Sequence, residues 1–188
     1  GKICNGRSKD STKATNSIRF KRPSELPPNK KATYLRICAN YRPQKSDPYR
    51  VRFTVGGNLV NYDGATYTPT SDITTAKTLF NSVLSTPNAK FMTIDISNFY
   101  LITPIKHPKD YEYMYIPAWV FPADIKREYN IPALTENGKV LAEIVTGMYG
   151  LPQAGILAYQ KLVGHLQQAD FVAAPYTPGL FTHKTRPL

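Results

Sequence analysis

Cysteine is nearly absent from this sequence. Cys4 and Cys38 are the only two, far apart and without metal-ligand spacing, and no Asn-x-Ser/Thr acceptor occurs, so nothing argues for secretion. A reducing, intracellular setting is the default expectation. Long apolar runs are also missing: none approaches the roughly 18 residues that cross a bilayer, and the first residues are polar and basic rather than signal-like. The chain is therefore expected to be soluble and without a membrane partner. Acidic residues are scarce, with 13 Asp and Glu against 24 Lys and Arg, a formal net charge of +11 over 188 residues. A compact body with that excess attracts polyanions through the counterions they release, nucleic acid first among them. Solubility, or a basic tail on an unrelated domain, explains such a charge equally well. His107, His165 and His183 lack partners at ligand spacing.

What is present begins with 41% hydrophobic residues, enough for one medium domain or two small lobes. Residues 1–32 are basic and rich in turn formers, and are expected to be a poorly ordered arm. From Thr33, Leu35, Ile37 and Ala39 alternate with Tyr34, Arg36 and Cys38. After a loop, Val51, Phe53 and Val55 alternate with Arg50, Arg52 and Thr54. This pattern predicts a two-stranded ribbon with one apolar and one cationic face. Gly56-Gly57-Asn58 signals a turn, and Asn58–Tyr62 reads as a further strand.

Ser71 or Asp72 can cap a helix in which Ile73, Ala76, Leu79, Phe80, Val83 and Leu84 form one buried stripe, stopped at Thr86-Pro87-Asn88. The next segment, KFMTIDI from Lys90, predicts a strand with Met92, Ile94 and Ile96 on one side and Phe91, Thr93 and Asp95 on the other. If the helix covers the Met92 side, Asp95 looks into an open cleft. A polar and aromatic stretch follows, then a helix-like PADIKREYN, an Asn137-Gly138 turn, a strand in KVLAEIVT, and a second amphipathic helix from Ala154. The expected class is α+β, with helices on one face of a sheet.

Three stretches, MTIDISNFYLITPI, YEYMYIP and VTGMYGLPQAG, coincide in order and spacing with one family, and YRVRFTVGGNLVNYDGATYTPT extends the match upstream. The chain resembles, from about Thr33 to Pro187, the reverse transcriptase of copia-type long-terminal-repeat retrotransposons. The resemblance implies part of the right-hand polymerase fold: fingers and the fingers–palm connection over 33–86, and an incomplete palm with a returning fingers segment over 87–188.

It also implies site residues. Asp95 would be the catalytic carboxylate bridging two Mg²⁺ ions, assisted by the backbone carbonyl of Ile96, since hard cations want oxygen ligands. Tyr100 would be the steric gate against a ribose 2′-hydroxyl, a rejection made by shape. The amides of Asn98 and Phe99 would meet the triphosphate, Gln153 would seat the sugar, and Ala154 would leave room beside it. Arg50, or less well Lys45, would hold the β- and γ-phosphates. Arg36 and Arg52 would track the template–primer. The implied partners are deoxynucleoside triphosphates and an RNA or DNA template–primer, within a larger polyprotein in a cytoplasmic virus-like particle.

Departures exist. Gly56-Gly57 replaces a Lys/Arg-Gly pair, and Pro152 stands where Lys is more common. The family completes its metal site with paired aspartates on a hairpin beyond the segment matching TPGLFTHKTRPL, and no Asp-Asp occurs in this sequence. The chain also starts without Met and stops at Leu188 with no helix stop or polar tail. The expectation is a fragment, cut at both ends, that is inactive by itself although its parent polymerises DNA. The alternative is a non-catalytic nucleic-acid-binding remnant, or a domesticated domain that kept fold and charge.

Overall fold

In the computed structural model, which describes residues 16–186, the strands and helices in chain order are Ile18–Lys21 (β1), Thr33–Tyr41 (β2), Tyr49–Val55 (β3), Ile73–Ser85 (α1), Glu112–Pro117 (β4), Ala123–Glu128 (α2), Ile131–Leu134 (α3), Lys139–Ile144 (β5), Ala154–Gln168 (α4), Phe171–Ala173 (β6) and Phe181–His183 (β7). Five strands form one mixed sheet in the order β1-β5-β4-β2-β3, and β6-β7 make a separate hairpin. With four helices among the described residues, the architecture mixes α and β. None of these helices is long and apolar enough to cross a membrane.

The predicted ribbon forms. β2 and β3 pair antiparallel, with Leu35 opposite Val55, Ile37 opposite Phe53 and Ala39 opposite Val51 on one face. Cys38 opposite Arg52 and Asn40 opposite Arg50 lie on the other. β2 then joins the central sheet through a short parallel pairing with β4, Thr33 against Met114. Only the root of the ribbon is anchored, and its far end stands clear of the core.

The core lies on one face of β1, β5 and β4. The registers Phe20–Ala142 and Met114–Ala142 place Ile18, Phe20, Met114, Ile116, Val140, Ala142 and Ile144 on a common side, where Ile131 of α3 and Ala154 of α4 join them in one apolar cluster. On the opposite face the cross-strand row Arg19–Glu143–Tyr113 is polar but satisfied. Glu143 accepts from the Tyr113 hydroxyl at 3.0 Å and pairs with Lys21 at 3.0 Å and Arg19 at 3.3 Å. Burial pushes the Glu143 carboxyl up, but these hydrogen bonds and charges outweigh it and hold the group below its ordinary value. Burial, then the bond to Glu143, pushes the Tyr113 phenol up to about 12.

Four expectations are corrected. Residues 90–96 form no strand, because a strand needs a ladder partner. Residues 103–105 take the place beside the end of β5 instead, with Pro104 bridged to Thr146 and the Ile105 amide donating to the Val145 carbonyl at 2.9 Å. α1 forms where expected, capped by Asp72 accepting from the Thr75 amide at 2.7 Å, but its stripe is not buried. Ile73, Leu79, Phe80 and Leu84 are exposed, as are Met92 and Ile94, so α1 does not cover the Met92 side. Asn58–Tyr62 is a 3-10 turn running into irregular chain rather than a strand, since residues from Gly57 on are diverted against the Gly150 loop. The segment taken as a loose arm holds β1 at the edge of the sheet, where Ile18 and Phe20 reach the core; Cys4 and the rest of residues 1–15 lie outside the described residues.

Two glycines make close approach possible. A Cβ on Gly57 would collide with the backbone carbonyl oxygen of Gly150, and one on Gly150, at φ +98°, would collide with the Val55 carbonyl. By contrast, Gly164 inside α4 faces open space. Urea denaturation of Gly57→Ala is expected to show a loss of roughly 1–3 kcal/mol. Gly164→Ala is expected to gain up to about 1 kcal/mol through helix propensity.

Candidate functional site

Beside the predicted residues lies an open cavity of ≈390 Å³ lined by Asp95, Ile96, Phe99, Tyr100, Tyr149 and Leu162. Three separate pieces of chain build it. The first is a tight turn after Asn98, whose φ of +54° lies in the left-handed region that asparagine tolerates. The Ile102 amide donates to the Asn98 carbonyl at 3.0 Å, and the Thr103 hydroxyl donates to the Phe99 carbonyl at 2.7 Å. Lys161 of α4 donates to the Ile102 carbonyl at 2.6 Å, tying this turn to the helix that supplies Leu162. Gly147 lets the second piece pass close, since a Cβ there would lie 2.9 Å from the Tyr100 carbonyl oxygen.

The Tyr149 ring then leans on the Tyr100 ring, centroids 5.1 Å apart and tilted 57°. Such a contact fixes an aromatic wall by shape rather than by polar bonds. Asp95 sits at the rim, exposed, and its carboxylate has neither a hydrogen bond nor an ion pair among the described residues. It is neither sunk in the core nor locked to an arginine.

Arg50, on β3, does not line this cavity, although its guanidinium is close enough to Tyr149 to feel the phenol's charge. Partial burial and the guanidiniums of Arg52 and Arg42 push Arg50 below the ordinary arginine value, while Tyr149 pulls the other way. None of the three has an acidic partner among the described residues, and like charges held together are costly unless an anion joins them. The physical link is the backbone: the Val55 amide, at the foot of β3, donates to the Tyr149 carbonyl at 2.7 Å. Arg52 shares the cationic face with Arg50, and Arg36 lies on the same face of β2. Lys45 is exposed in the loop at the ribbon's far end and does not line the cavity.

Gln153 and Ala154 start α4 and are both buried, Gln153 at 3% exposure. The Gln153 Oε1 atom has no hydrogen-bond partner. A buried acceptor left unpaired costs about 1–3 kcal/mol. Neither residue lines the cavity.

A pair of Mg²⁺ ions does not fit the donors that the described residues supply. No group of three His, Cys, Asp or Glu side chains is placed to hold a metal among them, and Asp95 is the one carboxylate lining the cavity. Asp95 fits as one ligand of such a pair and no more.

No family model, curated protein or solved structure matches the chain.

Sequence reasoning named Asp95, Ile96, Phe99 and Tyr100, and the structure gathers these four. It missed Tyr149 and Leu162, which only the fold brings there. The paired glycines Gly56-Gly57 and Gly147/Gly150 were the available signal, because close backbone approach at two distant places marks a junction. If Gln153 is kept for a ligand, Gln153→Met is expected to hold stability within about 1 kcal/mol of the parent or to raise it. A thermal melt showing a loss well beyond that would assign Gln153 to the fold.

Proposed function

We propose that the chain is the fingers and first palm portion of an RNA-directed DNA polymerase of the copia retrotransposon type, carrying part of a right-hand polymerase fold. The observation that carries this reading is the meeting of Asp95, Ile96, Phe99 and Tyr100 with Tyr149 at one cavity whose wall is bonded to the foot of the arginine-bearing ribbon. In this reading the β2–β3 ribbon is the fingers. Arg50 grips the β- and γ-phosphates of a deoxynucleoside triphosphate, with the Asn98 and Phe99 amides beside them, and Gln153 meets the sugar. Tyr100, braced by Tyr149, occupies the space of a 2′-hydroxyl. Asp95, with the Ile96 carbonyl, would supply oxygen ligands toward Mg²⁺ in a complete site, whose other ligands the described residues do not provide. Arg36 and Arg52 hold the phosphates of the RNA or DNA template–primer, so affinity falls with salt and ignores sequence. The setting is a retroelement polyprotein working in a cytoplasmic particle.

The single carboxylate of the cavity favours a second reading, a nucleic-acid-binding remnant without catalysis. Both readings expect binding to nucleic acid, and only the first expects the cavity to inspect a sugar. Titration calorimetry of the chain with dATP and with ATP, Mg²⁺ present, is expected to show dATP preferred by about tenfold or more. Tyr100→Ala is expected to close the gap by admitting ATP, and Arg50→Gln to weaken both nucleotides together. A chain that binds neither nucleotide, or a Tyr100→Ala variant that keeps the discrimination, contradicts the polymerase reading.

A further inference from the structure

The turn that carries Tyr100 has its backbone carbonyls taken up one after another. Inside the turn, the Asn98 carbonyl accepts from the Ile102 amide at 3.0 Å, the Phe99 carbonyl from the Thr103 hydroxyl at 2.7 Å and the Tyr100 carbonyl from the Thr103 amide at 2.9 Å. The carbonyls that follow are taken from outside. Leu101 accepts from the Ser17 hydroxyl at 3.2 Å, Ile102 from the Lys161 ammonium at 2.6 Å and Thr103 from the Gly147 amide at 2.7 Å. A connection at the rim of an open cavity can leave such groups to water, so a donor from the protein at every position from Asn98 to Thr103 fixes the turn far more tightly than its own backbone requires.

The outside donors differ in kind. Ser17 stands at the entry to β1, where its own carbonyl accepts from the Val145 amide at 3.0 Å, so the sheet sets its place. Gly147 is backbone beyond the end of β5. Lys161 reaches across from α4 on a long flexible stem, whose ordering costs conformational entropy. No Asp or Glu occurs in α4, and Lys161 makes no ion pair among the described residues. Its ammonium is spent instead on a neutral carbonyl, a charge-assisted bond that is short and directional. Lys161 does not line the cavity, whereas its neighbour Leu162 and the Tyr100 ring do.

We propose that Lys161 is a positioning residue: through the Ile102 carbonyl it sets how far the Tyr100 ring stands into the cavity, with Ser17 holding the same turn from the sheet side. This deepens the proposed function and rests on its sugar-inspecting cavity. The warrant is one of dimension. A ring that rejects a hydroxyl by shape has to be held within about 0.5 Å, and a shift of roughly 1 Å gives much of that rejection away. Tyr149 braces the ring from the side by packing alone. The bonds from Ser17 and Lys161 fix the backbone from which the ring hangs, and no other side chain outside the turn is bonded to its carbonyls.

The test is titration calorimetry with dATP and with ATP, Mg²⁺ present, on Lys161→Met, Lys161→Arg and Ser17→Ala, each also followed through a thermal melt. Lys161→Met is expected to cut the parent's preference for dATP to about threefold or less by admitting ATP, while dATP affinity stays within about twofold. Lys161→Arg still donates to a carbonyl and is expected to restore the preference. Ser17→Ala moves in the same direction by less, because a neutral bond is the weaker one. The inference is overturned if Lys161→Met keeps the parent's preference, if Lys161→Arg fails to restore it, or if the preference is lost only with a melting temperature lowered by about 5 °C or more, which marks a structural role. In each of these cases the parent still prefers dATP and the polymerase reading stands. A parent that prefers neither nucleotide removes that reading and this inference together.

Discussion

One backbone contact joins the ribbon to the cavity wall. The Val55 amide donates to the Tyr149 carbonyl at the point where the ribbon leaves the sheet, and Gly57 and Gly150 let the two chains lie nearly atom to atom. Any side chain at either glycine meets a carbonyl oxygen, so the approach is available to glycine alone. Through this junction the orientation of a long ribbon, otherwise anchored by a few residues against β4, becomes the orientation of the Tyr149 ring. Tyr149 in turn fixes Tyr100. In the proposed reading, an arginine that grips phosphate and a ring that senses the sugar need a constant separation, and a hydrogen bond between two backbones would supply it more rigidly than two flexible side chains could.

Electrostatics divides the protein in the same place. The central sheet settles its charges internally, with Glu143 shared among Tyr113, Lys21 and Arg19, and Glu112 paired with Lys30 at 3.3 Å. Burial pushes the Glu112 carboxyl up even so, the effect of Lys30 being smaller. The ribbon does the opposite, gathering Arg42, Arg50 and Arg52 with no ion pair to any of them among the described residues. Repulsion among them raises the energy of the empty ribbon, and an anion placed among them would lower it.

Where the sequence was legible, local periodicity decided the structure. The ribbon, α1, α4 and the Asn137-Gly138 turn, with φ of +49° and +73°, follow from alternation, helical spacing and turn chemistry within a few residues. Residues 90–96 alternate equally well and yet stay out of the sheet, because pairing depends on a neighbour that lies elsewhere in the chain. β4 was hidden for the reverse reason. Glu112 and Tyr113 look like surface residues until Lys30 and Glu143 are seen to satisfy them, so a strand buried on both faces reads as a polar stretch. The candidate site divides in the same way. Asp95 and Tyr100 are close in sequence and carried by a motif, whereas Tyr149, Leu162 and the freedom of the Gln153 amide exist only once three distant segments meet.

Native-state hydrogen exchange at the Val55 amide measures the junction most directly. If ribbon and cavity are one rigid unit, that amide exchanges with the slow core amides of Met114 and Ala142. If it exchanges as fast as the unpaired amides of Met92 and Ile94, the ribbon is free of the cavity, and Arg50 and Tyr100 do not act on one nucleotide.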